Sequence, residues 1–332
     1  MHLHTIPLAL SLIAIVSGCS AVDDEGPSPR PLREPTPTAI PNPMANFARL
    51  VSGEWTMTAE AGTSLFDTWT WGPGERSVRV MTDGVAADGG PWRELQVMYW
   101  HPGREQIRLL GVSPFARGVS EGAITFEGET ASVFFDLHQA GGVLRKLNRR
   151  WTFDGPDKYH ERLLEKNNSG DYALLVEWDR TRSMELARRA PPPEPTPKPS
   201  EPLQALEPLL NHTWQATSAE STDASFDFQS TFEWIPYADA VYVRTLALRR
   251  DGEPAHLLDA YVYHHTGAGA LRCLALSHRG AVYEGNVTVL HGGALQLDLQ
   301  GIDGERAVSL LARFDFEPDG ALRQRVWFIE NA

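Results

Sequence analysis

The chain has 332 residues, a formal net charge of −13 and a hydrophobic fraction of 42%. That length, less export and linker segments, allows two domains of ordinary size. No block of Lys and Arg stands apart from acidic neighbours, which argues against binding to nucleic-acid phosphates. For the same reason, electrostatic docking on anionic lipid is disfavoured, so a membrane association needs another source.

Residues 1–18 are predicted to be a signal peptide, because residues 6–16 form an apolar run too short to span a bilayer. The run ends in Val-Ser-Gly-Cys19, which resembles the lipobox of bacterial lipoproteins. The resemblance implies cleavage before Cys19 and lipid on its thiol, and Ser20 behind it implies the outer membrane, facing the periplasm. The first five residues contain no Lys or Arg, unlike most signal peptides. An ordinary export signal, or an uncleaved anchor with a chance cysteine, stays the alternative.

Two proline-rich segments divide the rest of the chain. Residues 19–43 contain seven prolines among acidic and small residues, and this composition predicts a disordered tether. Residues 184–202 combine a short helix with a second proline run and read as a stiff spacer. The predicted domains are therefore residues 44–183 and residues 203–332.

The two predicted domains are copies of one another. Residues 68–73 read Thr-Trp-Thr-Trp-Gly-Pro, and residues 231–236 read Thr-Phe-Glu-Trp-Ile-Pro, at an offset of 163 residues. Identities at the same offset continue along the chain: Val78, Glu121, Arg150 and Arg162 match Val241, Glu284, Arg313 and Arg325. The repeat is far longer than a solenoid unit, so each copy is expected to have its own core.

Within each copy, apolar residues alternate with the period of a β-strand. Trp69 and Trp71 share one face while the intervening threonines face the other way. Turn signals such as Gly72-Pro-Gly, Gly141-Gly and Gly292-Gly follow at short intervals. Many short strands at this spacing predict an all-β, antiparallel sandwich or barrel in each copy.

The first strand of copy one carries a family resemblance. Residues 50–55 read Leu-Val-Ser-Gly-Glu-Trp, and the last strand carries arginines in residues 174–182. This layout looks like the calycin superfamily, with its lipocalins, fatty-acid-binding proteins and nitrobindin-like barrels, and most closely like uncharacterised bacterial lipocalin-like domains. The resemblance implies two calycin-like barrels, and it implies a cation–π contact of Arg180 or Arg182 over Trp55 that closes the first barrel.

Copy two departs from that layout. Its first strand, ending in Trp214, lacks the glycine, and no segment corresponds to the last strand of copy one. We therefore expect a second barrel that is one strand shorter. Either another segment covers the gap, or an open edge remains that could contact the other domain, a second chain or a protein partner.

Alternate strand residues of a small barrel point inward, where they fill the core or line a ligand cavity. The candidate ligand-binding residues are those that recur in both copies or stand beside the recurring motif: Trp69, Trp71, Tyr99, His101, Arg150, Phe232, Trp234, His264 and Arg313. The alternative for the aromatic residues is plain core packing. The alternative for the arginines is an outward, solvated side chain.

No cofactor or metal is expected. Nitrobindin-like barrels bind haem through a late histidine, but copy one offers only His160 and copy two has Gln324 near that place. Neighbouring strand residues face opposite ways, so His264 and His265 are poorly placed to share one metal. Cys273 lies in an apolar strand and is expected to be a buried, inert thiol.

The sequence contains no nucleophile elbow, phosphate loop or zinc signature, and an enzyme is the less favoured class. The first hypothesis is a membrane-anchored lipoprotein that binds a small apolar or amphipathic molecule in its barrels. The alternative is an envelope scaffold with solid barrels that meets a protein partner.

Overall fold

The computed structural model describes residues 42–330 apart from residues 52, 59–62, 86–88, 114–117, 184–198, 218–225, 236–237, 250–252, 305 and 318–319. The predicted signal peptide with Cys19, almost all of the predicted tether and most of the predicted linker therefore lie outside the described residues. Among the residues described, no helix is both long and apolar enough to cross a membrane.

Residues 54–183 form barrel one, a closed antiparallel barrel in which each strand pairs with its neighbour in the chain and β1 pairs with β10. Its strands are β1 Glu54–Thr58, β2 Ser64–Trp71, β3 Ser77–Val85, β4 Pro91–His101, β5 Gln106–Ser113, β6 Gly118–Glu127, β7 Thr130–Gln139, β8 Leu144–Phe153, β9 Lys158–Lys166 and β10 Tyr172–Ser183.

Residues 213–330 form barrel two, a nearly closed sheet of nine strands in chain order whose end strands are β11 and β19. Its strands are β11 Thr213–Thr217, β12 Phe226–Ile235, β13 Ala240–Arg249, β14 Ala255–His265, β15 Ala270–Ser277, β16 Val282–Val289, β17 Leu295–Asp303, β18 Arg306–Phe316 and β19 Leu322–Glu330. The prediction of two antiparallel barrels, the second one strand shorter, is confirmed.

Short helical segments cover one end of each barrel. The 3-10 helix Ala45–Arg49 buries Phe47 fully and lies at the end where β1 begins. Barrel two has the α-helix α1 (Glu201–Gln204) and the 3-10 helix Glu207–Leu209 in the same position. In both barrels the first-strand tryptophan donates its indole N–H to a carbonyl of this segment: Trp55 to Leu50 at 2.9 Å and Trp214 to Leu209 at 3.2 Å.

Glycine supplies the backbone conformations that two of the tight connections need. Gly141 and Gly142 turn the chain between β7 and β8 with φ of 78° and 77°. Gly292 and Gly293 do so between β16 and β17, both with φ of 85°. Side chains other than glycine rarely adopt positive φ, so these pairs fix where the strands end.

The two barrels pack against each other through the outer faces of β3–β6 and β13–β16. Fifteen buried apolar side chains from both copies form this third core: Leu95, Val97, Tyr99, Leu110, Val112, Val119, Ile235, Ala238, Ala240, Tyr242, Tyr261, Tyr263, Leu274, Leu276 and Val282. The β2–β3 turn also approaches closely, because a Cβ at Gly74 would lie 2.1 Å from the His278 carbonyl oxygen.

The packed faces are equivalent in the two copies. Tyr99 pairs with Arg108 across β4 and β5, as Tyr263 pairs with Arg272 across β14 and β15. The same equivalence puts Glu121 of β6 in the place of Glu284 of β16, opposite Leu110 and Leu274. The barrels thus meet as the two subunits of a two-fold dimer do, while the gap between β11 and β19 lies elsewhere.

Candidate functional site

Barrel one encloses a cavity of about 390 Å³. Its apolar lining consists of Met57, Leu65, Trp92, Phe135, Leu137, Leu147, Leu163 and Trp178, together with the partly exposed Leu175 and Val176 at the β10 bulge. Thr63, Trp92 and Arg145 lie near strand ends opposite the 3-10 helix Ala45–Arg49, so the cavity lies toward the uncovered end of the barrel. Its volume is in the range of pockets that hold small organic ligands.

The floor of this cavity is charged, which is unusual for a barrel interior. Arg180 of β10 lies 2.8 Å from Asp67 of β2 and 3.3 Å from Glu161 of β9. Arg149 of β8 lies 3.2 Å from Glu161 and 3.9 Å from Glu94 of β4. Three carboxyl groups therefore share two guanidinium groups, a formal excess of one negative charge when all five are ionised.

Neutral side chains complete the network. Gln96 donates its amide N–H to Glu94 at 3.0 Å and accepts from Arg149 at 2.9 Å. The Thr82 hydroxyl donates to Asp67 at 2.8 Å. Asp67 is therefore contacted by both Arg180 and Thr82. Glu94 lies 3.9 Å from Arg149, the longest carboxylate–guanidinium distance in the network.

Burial dominates the ionisation of two of these carboxyl groups. Desolvation raises the pKa of Asp67, because it outweighs the attraction of Arg180. Desolvation likewise raises the pKa of Glu94, despite the attraction of Arg149. Burial acts to lower the pKa of Arg180, but Asp67 and Glu161 raise it overall, so this guanidinium stays charged.

Barrel two has lost this network at the equivalent positions. The residues in register with Asp67, Glu94, Gln96, Arg149 and Glu161 are Ser230, Leu258, Ala260, Ala312 and Gln324. Arg180 has no counterpart because it lies on β10, the strand that barrel two lacks. The hydroxyls of Ser230 and Thr245, 2.9 Å apart, stand where Asp67 and Thr82 meet.

Barrel two is also filled where barrel one is hollow. Ser120 lines the cavity, and its counterpart Tyr283 is a fully buried core residue. Leu137 corresponds to Gly301, where an added Cβ would lie 2.4 Å from the Tyr283 ring. The glycine therefore makes room for the tyrosine. An apolar cavity of about 100 Å³ remains, bordered by Cys273 and by Gln215 and Gln324 of the two edge strands.

Arginines of β10 serve two different purposes. Arg182 lies with its guanidinium carbon 4.6 Å from the Trp55 ring centroid, and its strand pairs with β1 at this point. It also bonds the Arg49 carbonyl oxygen and lies 3.0 Å from Asp157. Arg180 points inward to the charged floor instead. The sequence pattern did not separate the two roles.

The aromatic candidates lie in the barrel cores. Trp69 is buried in the core of barrel one, its ring centroid 5.8 Å from that of Trp151, and Trp71 packs at the edge of the same core. Phe232 and Trp234 pack against the core of barrel two, and Phe232 also borders its small cavity. Of these four, none borders the larger cavity.

The remaining candidates lie outside the barrel-one cavity, too. Arg150 is exposed, and its neighbour Arg149 reaches the cavity, because Leu147 and Arg149 share the inward face of β8. Arg313 pairs with Asp315 at 2.7 Å on barrel two. Tyr99 faces the other barrel, whereas His101 and His264 are half-buried near the strand ends.

Sequence reasoning missed the charged floor, although a signal was present. Glu94, Arg149, Glu161 and Arg180 each occupy the inward phase of a strand with apolar neighbours two residues away. Charged residues in that phase are rare unless they pair. His160, the position considered for haem, sits one residue out of phase on β9, where its ring contacts Asp179 at 3.0 Å.

A second group of polar residues lies where the barrels meet. Glu121, His138 and His265 place one ligand atom each within 4.8 Å of the others. The Ala268 amide donates to Nδ1 of His265 at 3.0 Å, so Nε2 of the neutral ring carries the proton and faces Glu121 at 3.7 Å. A metal at Nε2 would require the opposite tautomer. The interaction with His265 lowers the pKa of Glu121, against the effect of burial.

Comparisons with known proteins add little to this geometry. No protein-family model matches the chain, and no curated protein matches it either. One solved structure that is similar comes from Nostoc punctiforme, a protein of unknown function from the DUF3598 family. It shares 11% identity over 86% of this chain and 97% of its own, with a TM-score of 0.23. That score is too low to support an argument about fold or function.

Proposed function

We propose that barrel one binds a small amphipathic molecule. The single observation that supports this most is the cavity of about 390 Å³, with apolar walls and a charged floor. Protein interiors are normally densely packed, so a space of that size left by the protein's own side chains favours a ligand site. Its occupant would place an apolar body against Leu65, Phe135 and Leu163 and a polar head on the floor.

The floor favours a head group that is cationic or donates hydrogen bonds. The three carboxyl groups exceed the two guanidinium groups by one charge, and the third guanidinium of the lining, Arg145, is already paired with Glu165 at 2.7 Å. Desolvation raises the pKa of Glu94. Glu94 is 3.9 Å from its nearest guanidinium, so it has spare acceptor capacity. A primary ammonium group at Glu94 would neutralise the excess charge, whereas a carboxylate would add to it.

The N-terminal sequence supports a place for this binding protein. The lipobox-like Val16–Cys19 segment, followed by Ser20 and a proline-rich tether, is typical of a lipoprotein of the outer membrane. The calycin likeness of residues 50–55 and 174–182 points to the same class, since calycin barrels hold ligands in their interior. The proposed molecule is thus a lipid-anchored carrier or sensor of an amphipathic compound.

Isothermal titration of the full-length chain with decylamine, decanol and decanoate tests the proposal. We expect decylamine to bind at one site per chain, more tightly than decanol, and decanoate to bind least. The double variant Ser120→Tyr with Leu137→Gly transplants the tyrosine and glycine of barrel two and is expected to abolish binding. Ser120→Ala leaves the cavity open and is expected to bind as the parent does.

A second variant separates the head-group chemistry from the cavity. Glu94→Gln should weaken decylamine about tenfold, because a hydrogen bond to a charged group is lost, and should leave decanol unchanged. Circular dichroism shows whether each variant is folded. The proposal fails if none of the three compounds binds the parent chain, or if the filled variant binds as well as Ser120→Ala does.

The open edge of barrel two supports a second candidate function, a contact with a protein partner. β11 and β19 each have one hydrogen-bonded neighbour, and Gln215 and Gln324 lie at the gap between them. An unpaired edge is a template for strand addition. A scaffold of this kind would form a dimer or bind a strand of a partner protein, and Gln324→Pro should abolish either complex. A monomer in light scattering at all concentrations would exclude self-association.

A further inference from the structure

Between the barrels lies a separate cavity of about 180 Å³. Its polar lining comes from both copies: Tyr99, Arg108 and Glu121 from barrel one, and Tyr263, Arg272 and Glu284 from barrel two. These six residues are the equivalent positions established by the strand registers. The cavity therefore lies on the approximate two-fold axis that relates the two copies, outside both barrels.

One hydrogen bond breaks the symmetry of the lining. The Tyr99 hydroxyl donates to the Glu284 carboxylate. The equivalent bond, from Tyr263 to Glu121, is not made, because Glu121 faces His265 at 3.7 Å instead. Among the residues that the structure describes, the Tyr263 hydroxyl has no hydrogen-bond partner, although Tyr263 is only 4% exposed. Burial raises the pKa of Tyr263, so the hydroxyl keeps its proton and remains a donor.

The two arginines also have unused capacity. Arg108 donates to the Gln106 side-chain oxygen at 3.4 Å, and Arg272 donates to the Gly285 carbonyl oxygen at 3.0 Å. Within the described residues neither guanidinium has a carboxylate within ion-pair distance. A half-buried arginine normally finds one, since five N–H donors are expensive to leave without strong acceptors.

The charge of the lining suits an anion. Arg104, which is exposed at the β4–β5 turn, adds a third guanidinium at the rim, against the carboxylates of Glu121 and Glu284. The lining thus carries one formal positive charge more than it carries negative ones, in a chain whose net charge is −13. Each carboxylate already faces a donor of the opposite barrel. Glu284 accepts a hydrogen bond from Tyr99, and Glu121 faces His265.

We infer that this cavity is a binding site for a small oxyanion, a phosphate or a short carboxylate, held jointly by Arg108, Arg272 and the Tyr263 hydroxyl. Arginine forks match the oxygen pairs of both anions, and about 180 Å³ accommodates either. The anion would join the copies across their common face, so binding is expected to stabilise the packing of one barrel on the other.

Isothermal titration of the full-length chain with inorganic phosphate and, separately, with succinate tests this site. We expect one anion bound per chain. The relative affinities of phosphate and succinate show whether the site prefers a tetrahedral phosphate group or a planar carboxylate group. Arg108→Gln and Arg272→Gln should each weaken binding at least about tenfold, the loss typical of a charge-assisted hydrogen bond. The matched control is Arg313→Gln, whose guanidinium is paired with Asp315 on barrel two.

The variant Tyr263→Phe tests the same site even if the arginine variants do not fold. Its hydroxyl bonds nothing in the described structure, so this variant should fold as the parent does and bind the anion about fivefold more weakly. The inference is overturned if neither anion binds at millimolar concentration. It is also overturned if Tyr263→Phe and both arginine variants bind as tightly as Arg313→Gln.

Discussion

Barrel one and barrel two share strand order and register but differ in their interiors. Barrel one is closed by β10 and holds a network of five charged groups, three of them buried, beside a cavity of about 390 Å³. Barrel two lacks that strand, has neutral residues at the equivalent positions and keeps about 100 Å³. The outer faces have changed less, since both copies retain the tyrosine, arginine and glutamate that meet between the barrels.

This difference shows which parts of the fold depend on one another. Arg180 enters the network from β10, so a barrel without β10 would leave Asp67 and Glu161 with one guanidinium fewer. Uncompensated buried charges are strongly destabilising. The loss of the strand and the replacement of the carboxyl groups by Ser230 and Gln324 are therefore physically coupled. In barrel two the Tyr283 ring, which packs against Gly301, fills the space that corresponds to the cavity of barrel one.

The largest expected effect comes from breaking the charged floor of barrel one. Arg180→Met leaves Asp67 and Glu161 buried with one partner fewer and should lower the free energy of unfolding by about 3–5 kcal/mol. Arg313→Met removes a half-exposed ion pair of barrel two and should cost less than about 1 kcal/mol. Urea unfolding followed by tryptophan fluorescence measures both. Equal losses would mean that the two barrels do not differ in this respect.

The first-strand tryptophans test the closure of the two barrels. Trp55→Phe removes the bond to the Leu50 carbonyl and the contact with Arg182, and should cost about 2 kcal/mol. Trp214→Phe removes the corresponding bond to Leu209 and can keep an aromatic contact with His212, so about 1 kcal/mol is expected. Thermal unfolding by calorimetry compares them. A larger loss for Trp214→Phe would show that β10 contributes little to closure.

The pH dependence of stability should also distinguish the barrels. A carboxyl group whose pKa is raised in the folded state binds its proton more tightly there than in the unfolded chain. Its contribution to stability is therefore present in acid and is lost as the pH rises through the folded pKa. Glu94→Gln should remove this loss and stabilise the protein at neutral pH by on the order of 1 kcal/mol.

The control for that experiment is Asp298→Asn, an exposed carboxyl group of barrel two. It should change the stability at neutral pH by less than about 0.5 kcal/mol, because its side chain lies in solvent. If Glu94→Gln instead destabilises the protein at neutral pH, the charged form of Glu94 is stabilising, and the interpretation of the floor as carrying excess negative charge is incorrect.

The smallest effect concerns the core of barrel two. Burial raises the pKa of Cys273 to about 12, and its thiol lines the small apolar cavity. In a Cys19→Ser background, the thiol should not react with a disulfide reagent at mildly alkaline pH while the protein is folded, because the thiolate is the nucleophile. Rapid labelling of the native chain would indicate that the gap between β11 and β19 admits solvent.

Much of the architecture could be predicted from the sequence. The duplicated motif at residues 68–73 and 231–236, the period-two pattern and the glycine turns predicted two antiparallel all-β domains, and the calycin resemblance favoured barrels over sandwiches. The missing last strand of copy two was predictable from the absence of a counterpart to residues 172–183. These features are local, or they repeat in register along the chain, and such features survive without tertiary information.

The candidate site was less predictable because it depends on phase and on distant pairing. Arg150 recurs in both copies, yet Arg149 reaches the cavity, since a shift of one residue moves a side chain to the opposite face. The meeting of Asp67 with Glu161 and Arg180 joins β2 to the consecutive strands β9 and β10, which come much later in the sequence. The residue Tyr99 was expected inside its barrel, and the packing of the second barrel against β4 turned that outer face into core.

Native mass spectrometry of the full-length protein, purified from its source organism and gently desolvated, tests the central claim most directly. The account predicts one non-covalent added mass of a few hundred daltons per chain, released on denaturation. The mass should be absent from the Ser120→Tyr, Leu137→Gly variant and present in Ser120→Ala. A clean apo mass for the parent chain, or an added mass that the filled variant retains, would contradict a ligand site in barrel one.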